Sequence, residues 1–291
     1  MQHQFLRYCT LLITGKYNLG GFVGEVKNNK IFNMSFSDCI NNGNLTAQLC
    51  LGGFVGNIYN NTNKAMTISN SNNTGMITGV LAVGGLVGYM STESESSLNA
   101  FTIISSANKG NVSAKDLACG LFCVDPDGNY NVNTTILNSI NKGSVNATTN
   151  AYGITNIITR ARNVVSMGEL TASSDSFTFW ESSTDVDLFF GLDGKCVNCP
   201  DGTTLFVHKT NTGFYEVESS EHVHDLLNAE VEKQNYGMFW TKELELVKPH
   251  VEPSPSPSSQ SGGLSGGNKH GVSLFWIGAV VALAAHVAMA Q

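Results

Sequence analysis

A five-residue block returns through the first half of the chain at intervals that leave few folds open to it. GGFVG at Gly20–Gly24 recurs at Gly52–Gly56, as GGLVG at Gly84–Gly88, as CGLFC at Cys119–Cys123 and as YGITN at Tyr152–Asn156, in steps of 32, 32, 35 and 33 residues. A second block precedes each later copy by nine residues: CINNGNLTA, SNNTGMITG, SANKGNVSA, SINKGSVNA and VVSMGELTA, with turn glycines Gly43, Gly75, Gly110, Gly143 and Gly168. The last of these places Phe177 where Tyr152 stands and makes SFTFW a closing rung. A unit of this length cannot bury its own apolar face, so neighbouring units must stack.

The blocks alternate as short strands do. Leu45, Ile77, Val112, Val145 and Leu170 stand two residues after the turn glycine, and Ala47, Gly79, Ala114, Ala147 and Ala172 two further on. That is period two with a tight buried face. Seven residues before the glycine, Phe36, Ile68, Ile103, Ile136 and Ala161 form a second inward column. No unit shows the 3.6 periodicity of a helix pair. The expectation is an all-β chain: a parallel β-solenoid of about five rungs of 32–35 residues, followed by a small α+β module. The corner glycines are expected to supply backbone conformations that other residues adopt only with strain.

Asparagine is in excess, with 31 in 291 residues and 26 of them before residue 164. Four fall in one column, Asn41, Asn73, Asn108 and Asn141, two residues before the turn glycine, with Ser166 next. Stacked amides can hydrogen-bond to one another along the axis, and an Asn at a corner can bond its own turn backbone. The spacing predicts an Asn ladder.

The blocks resemble the GLUG repeat, matched best over residues 84–114, with the resemblance covering roughly residues 19–180. It implies a cell-surface β-solenoid of the kind found in adhesin-like chains, and it carries no catalytic residue with it. The fourth and fifth copies depart by losing glycines.

The ends of the chain speak of address. Residues 272–290 form an apolar run of 19, interrupted only by Ser273 and His286 and followed by no Lys or Arg. It is long enough to cross a bilayer. Small residues upstream, then a spacer, then this tail form the pattern of a glycosylphosphatidylinositol (GPI) anchor signal, with Ser261, Gly262 and Ser265 as lipid-attachment candidates; a C-terminal membrane helix is the alternative. Residues 251–271 read as a Pro/Ser/Gly stalk. Residues 1–18 read as a degenerate leader or an internal start, because Arg7 breaks a short apolar stretch. Sequons at Asn33, Asn44, Asn60, Asn72, Asn111, Asn133 and Asn146 are glycosylation candidates if the chain is secreted.

Residues 181–250 form a separate acidic module: they hold five Lys/Arg and thirteen Asp/Glu, against ten and nine in residues 1–180. Residues 203–208 and 213–217 are expected to pair as a hairpin, and Val223, Leu226, Leu227 and Val231 to share one face of a short helix; the module is expected to be a cap that closes the last rung or a membrane-proximal module. Seven cysteines are an odd number. Cys196–Cys199, Cys119–Cys123 and Cys39–Cys50 are the nearest candidate disulfides, with Cys9 left over. Cys196, Cys199, His222 and His224 offer four soft ligands, but their spacing is not that of a zinc finger. Asp125–Asn129 opens like a calcium loop yet has Ile136 where a bidentate Glu is required. No basic patch indicates nucleic acid, no nucleophile or phosphate-loop motif is present, and the acids within the repeats fall singly and in different phases.

The expectation is a non-enzymatic, membrane-anchored surface glycoprotein without cofactor or metal. It would be placed on the outer face of the plasma membrane by the secretory route, to meet a host or matrix protein or a glycan. A glycan-processing enzyme on the same scaffold and a truncated gene copy are the alternatives.

Overall fold

The computed structural model describes residues 8–9, 12–27, 33–59, 65–91, 99–125, 132–157, 160–173, 175–179, 185–192, 214–217 and 223–249. The repeat region is a parallel β-solenoid of about four turns. In one coil the chain passes along a first wall (Ala65–Ser69 and Asn72–Asn73), a second (Ile77–Thr78), a third (Ala82–Gly84) and a fourth (Val87–Ser91). Each strand pairs in parallel with the same strand of the next coil. The register joins Phe36, Ile68, Ile103, Ile136 and Ala161 in one column and Leu45, Ile77, Val112, Val145 and Leu170 in another. Tyr152 pairs with Phe177. These are the columns that the period-two pattern sets out.

Stacking extends past both expected limits. Tyr8–Cys9 pairs with Ile40–Asn41 and Ile13–Thr14 with Leu45–Thr46, so solenoid strands begin before Leu19. At the other end Asp185–Leu192 pairs with Arg160–Ser166, and Phe214–Val217 with Phe189–Leu192. Phe214–Val217 is thus a further parallel rung; the first arm of the expected hairpin, 203–208, lies outside the described residues.

The Asn column divides the interior. Asn41 Nδ2 donates to Asn73 Oδ1 at 2.7 Å, Asn73 Nδ2 to Asn108 Oδ1 at 2.7 Å, and Asn108 Nδ2 to Asn141 Oδ1 at 2.8 Å. Each amide also donates to the carbonyl of its own turn glycine, as Asn108 does to Gly110 at 2.9 Å. All four are fully buried. On one side lies a core of Phe36, Phe54, Ile68, Phe101, Phe122 and their neighbours; on the other, one of Leu45, Leu51, Ile77, Val112, Val145 and Leu170. A serine ladder runs beside the asparagines: Ser71 N–H donates to Ser106 Oγ and Ser106 N–H to Ser139 Oγ, both at 3.2 Å.

The glycines have a different role from the one expected. Among the described glycines only Gly237 has positive φ, whereas the left-handed corner of the first wall is occupied by Asp38, Asn70, Ser105, Asn138 and Asn163 with φ between 47° and 60°. Short polar side chains tolerate that region. What the repeat glycines provide is space. A Cβ on Gly75 would sit 2.0 Å from Gly43 O, and one on Gly85 would sit 2.1 Å from Gly120 O and 2.4 Å from Asn108 Cγ. The two sequence blocks are therefore one device: the second glycine of each GG pair lies against the amide of the Asn ladder.

The C-terminal part of the described chain packs against the side of the stack. Helix α1 (Val223–Gln234) and the antiparallel pair Phe239–Trp240 and Leu246–Val247 lie along the outside of the first wall, where Val223, Leu227, Val231 and Trp240 cover Ala107, Ile140 and Val165. Leu226, expected on the buried face, is 52% exposed; that position is taken by Glu230, which bonds Arg162 at 3.3 Å. The left-handed corner is the attachment line. Asn138 Nδ2 donates to Met238 O at 2.9 Å, Trp240 Nε1 to Asn138 Oδ1 at 2.6 Å, Asn163 Nδ2 to Leu227 O at 3.1 Å and Ser105 Oγ to Tyr236 O at 3.0 Å. Lys109 and Lys142, on adjacent rungs, both pair with Glu245. No described helix is long and apolar enough to cross a membrane; residues 251–291 lie outside the described residues.

Candidate functional site at the outer elbow

With the interior filled by apolar columns and internally bonded amides, chemistry is left to the outside, and the outer surface is concave where the third wall turns into the fourth. The GGFVG block makes this elbow tight: a Cβ on Gly84 would lie 1.9 Å from Val87 O, and one on Gly88 2.3 Å from Leu51 O. The first and last glycines of the block therefore leave no room for a side chain. In the fourth copy both are cysteines, Cys119 and Cys123, and in the fifth they are Tyr152 and Asn156. Losing the glycines does not break the stack. Asn156 instead stands in for a strand partner, with Val124 N–H donating to its Oδ1 at 2.7 Å and its Nδ2 donating to Val124 O at 2.6 Å.

At this end of the fourth wall the elbow opens into a cavity of about 300 Å³, whose lining includes Tyr89, Asp116, Leu117, Asp125, Asn150 and Tyr152. Asp116 precedes the third-wall strand Leu117–Cys119 and Asp125 follows the fourth-wall strand Phe122–Val124. The bend between those strands brings the two carboxylates to one cavity, where the sequence pattern had Asp116 as a single acid and Asp125 as the opening of a calcium-like loop. Leu81, on the lining, is 43% exposed, and Leu49 and Val80 extend an apolar rim beside it.

The elbow is electronegative. Burial raises the Cys50 thiol pKa to about 12, and Glu25 and Asp125 add to the rise. Burial likewise pushes the Cys123 thiol well up, with Cys119 contributing. Glu25 accepts from Asn18 at 3.1 Å and Asn57 at 3.2 Å. Asn57 stands one rung from Tyr89, is 9% exposed, and its Oδ1 has no hydrogen-bond partner.

The expected disulfides fare differently. Cys39, Cys50, Cys119 and Cys123 are free thiols. Cys39 belongs to the core between the first and fourth walls and Cys50 to the outer face of the third, so they do not form the expected pair. Cys119 and Cys123 share one buried cluster as hydrogen-bonded thiols. Cys9 lies on the strand paired with Ile40–Asn41; Cys196 and Cys199 lie outside the described residues, as do His222 and residues 126–129 of the calcium-like loop. Among the described residues no group of three or more His, Cys, Asp or Glu is placed to hold a metal ion.

Of the sequons, Asn33, Asn44, Asn111 and Asn133 are exposed, Asn72 and Asn146 half-buried, and Asn60 outside the described residues. They fall in columns. Asn44 and Asn111 precede the paired residues Leu45 and Val112, two coils apart, and Asn33 shares its position with Asn133 three coils on. Ser261, Gly262 and Ser265 lie outside the described residues.

A scan against protein-family models, a search of curated proteins and a search of solved structures each return no match. The resemblance to GLUG repeats stands on the quoted blocks alone.

Proposed function

We propose that the protein is a non-enzymatic, membrane-anchored surface glycoprotein whose solenoid presents its outer faces for adhesion, host contact or coat formation. The observation that carries this reading is the placement of the sequons: four of the six described are exposed and lie in axial columns on the outer surface. Side chains there can carry glycans without disturbing either core. The C-terminal apolar run supplies the attachment, by GPI or by a membrane helix, and dense display of many weak sites supplies affinity through avidity. Treating intact cells with a phosphatidylinositol-specific lipase should release the protein, and removal of N-glycans should increase its gel mobility. Retention on the cell together with tail peptides in the mature chain defeats the GPI form of the proposal; an unchanged mobility defeats the glycoprotein assignment.

A second reading, a glycan-processing enzyme, is favoured by one observation: Asp116 and Asp125 line a single cavity with two tyrosines. Glycoside hydrolysis uses a carboxylate pair. Turnover on a glycan panel, abolished by Asp116→Asn or Asp125→Asn, would establish it over the first; absence of turnover would count against it.

A further inference from the structure

We infer that the elbow cavity is a binding site for a cationic group on an apolar stem, the ammonium or guanidinium of an amine ligand. The inference rests on the reading that the outer faces bind partners, and it names what one of them recognises.

Four observations converge. The cavity, at about 300 Å³, is at the small end of the range for ligand sites. Among the described residues its lining holds two carboxylates, Asp116 and Asp125, and no Lys or Arg. A carboxylate accepts several donors at once, so a ligand ammonium or guanidinium can share these oxygens with donors of the protein. Tyr89 and Tyr152 bring aromatic rings to the same space, and aromatic faces attract cations. Asn57, one rung from Tyr89, keeps a buried Oδ1 without a donor. The elbow is thus rich in acceptors and negative charge, and Glu25 extends that character along the axis. The two carboxylates of the described lining would repel an anionic ligand.

The apolar requirement comes from the rest of the lining. Leu81 and Leu117 flank the carboxylates, and exposed Leu49 and Val80 continue the strip outward. A bare metal ion would leave this surface unused. A charged head reaching the carboxylates with methylenes lying over the leucines uses both. Two sources supply such a group, a free polyamine or a Lys or Arg side chain on a partner protein, and their chemistry at the cavity is the same.

The test is calorimetric titration of the full chain in mild detergent with spermidine, with Nα-acetyl-lysine amide and with Nα-acetyl-arginine amide. The neutral control is a hydroxyl analogue of the lysine derivative. At least one amine should bind while the hydroxyl analogue does not. Asp116→Asn should weaken binding at least tenfold, and Asp125→Asn should do the same. Asp38→Asn, on the first wall and paired with Lys248 at 2.6 Å, should leave binding unchanged. Tighter binding of spermidine assigns a free polyamine; tighter binding of either amino-acid amide assigns a protein side chain. Equal binding of the hydroxyl analogue, absence of amine binding, or full affinity in a folded Asp116→Asn protein would overturn the inference. Because purified protein is used, these outcomes are independent of whether the lipase experiment places the chain on the cell surface.

Discussion

Each inner amide of the Asn ladder, Asn73 and Asn108, is both donor and acceptor along the axis and a donor to its own turn, so removing one leaves three partners behind. Asn108→Leu strands Asn73 Nδ2, Asn141 Oδ1 and Gly110 O in the interior. An unsatisfied buried group costs about 1–3 kcal/mol, so a loss of roughly 3 kcal/mol or more is expected; unchanged thermal unfolding would refute the ladder's structural role. The glycines make a sharper contrast. Gly85→Ala puts a Cβ against Gly120 O and Asn108 and should cost more than about 3 kcal/mol. Gly237→Ala, with open space but φ of +80°, should cost about 1 kcal/mol. Equal costs in thermal melts would mean that the close approach is not what selects glycine. The buried thiols set a pH dependence. Cys50 and Cys123 keep their protons in the folded state to higher pH than in the unfolded chain. Their contribution is therefore complete below the unfolded thiol pKa of about 8.5 and is lost as pH rises through the folded values. Denaturant midpoints should fall between pH 8.5 and about 12, and fall less in a Cys50→Ala, Cys123→Ala protein; an equal fall in both would remove the thiols from the account. The ladder was legible because identical residues recur in phase. The left-handed corner was not, since Asp38, Asn70, Ser105, Asn138 and Asn163 vary in identity and are hidden in a general Asn excess. Glycine columns read alike whether they serve φ or space.

At the scale of elements, the C-terminal helix and its β-pair form a strap held along the first wall by a line of polar contacts over one small apolar seam. Glu245 shows how the charges contribute: burial alone would raise its pKa, and hydrogen bonds from Lys109 and Lys142 outweigh that and lower it. The apolar pattern made the helix legible, but not its seat, because docking depends on residues about a hundred positions away, as in Trp240 to Asn138. Trp240→Phe keeps the packing and removes that bond, at about 1 kcal/mol. Hydrogen exchange should show α1 amides losing protection by roughly fivefold while the Ile103 and Ile136 strands keep theirs. Equal loss in both would mean that strap and solenoid open as one unit. The elbow site was illegible for a related reason. Asp116 and Asp125 lie on opposite arms of a bend whose two glycines have been replaced, so spacing alone gave no sign that they meet.

At the scale of the whole molecule, one rule generates the architecture: a coil that returns the same residue to the same place on the rung above. The coil shortens to 25 residues where Asn163 meets Asn138, after the fourth wall has run out, and stacking continues nonetheless. The interior is thereby committed to self-association of coils, and binding is left to the faces. The most direct test is methyl NMR of the isoleucine column. Register pairs Ile68 with Ile103 and Ile103 with Ile136, neighbouring strands lie about 4.8 Å apart and alternate ones about 10 Å. Methyl NOE cross-peaks are predicted for Ile68–Ile103 and Ile103–Ile136 and none for Ile68–Ile136. A cross-peak between Ile68 and Ile136, or the absence of both neighbouring peaks in folded protein, would contradict the parallel solenoid.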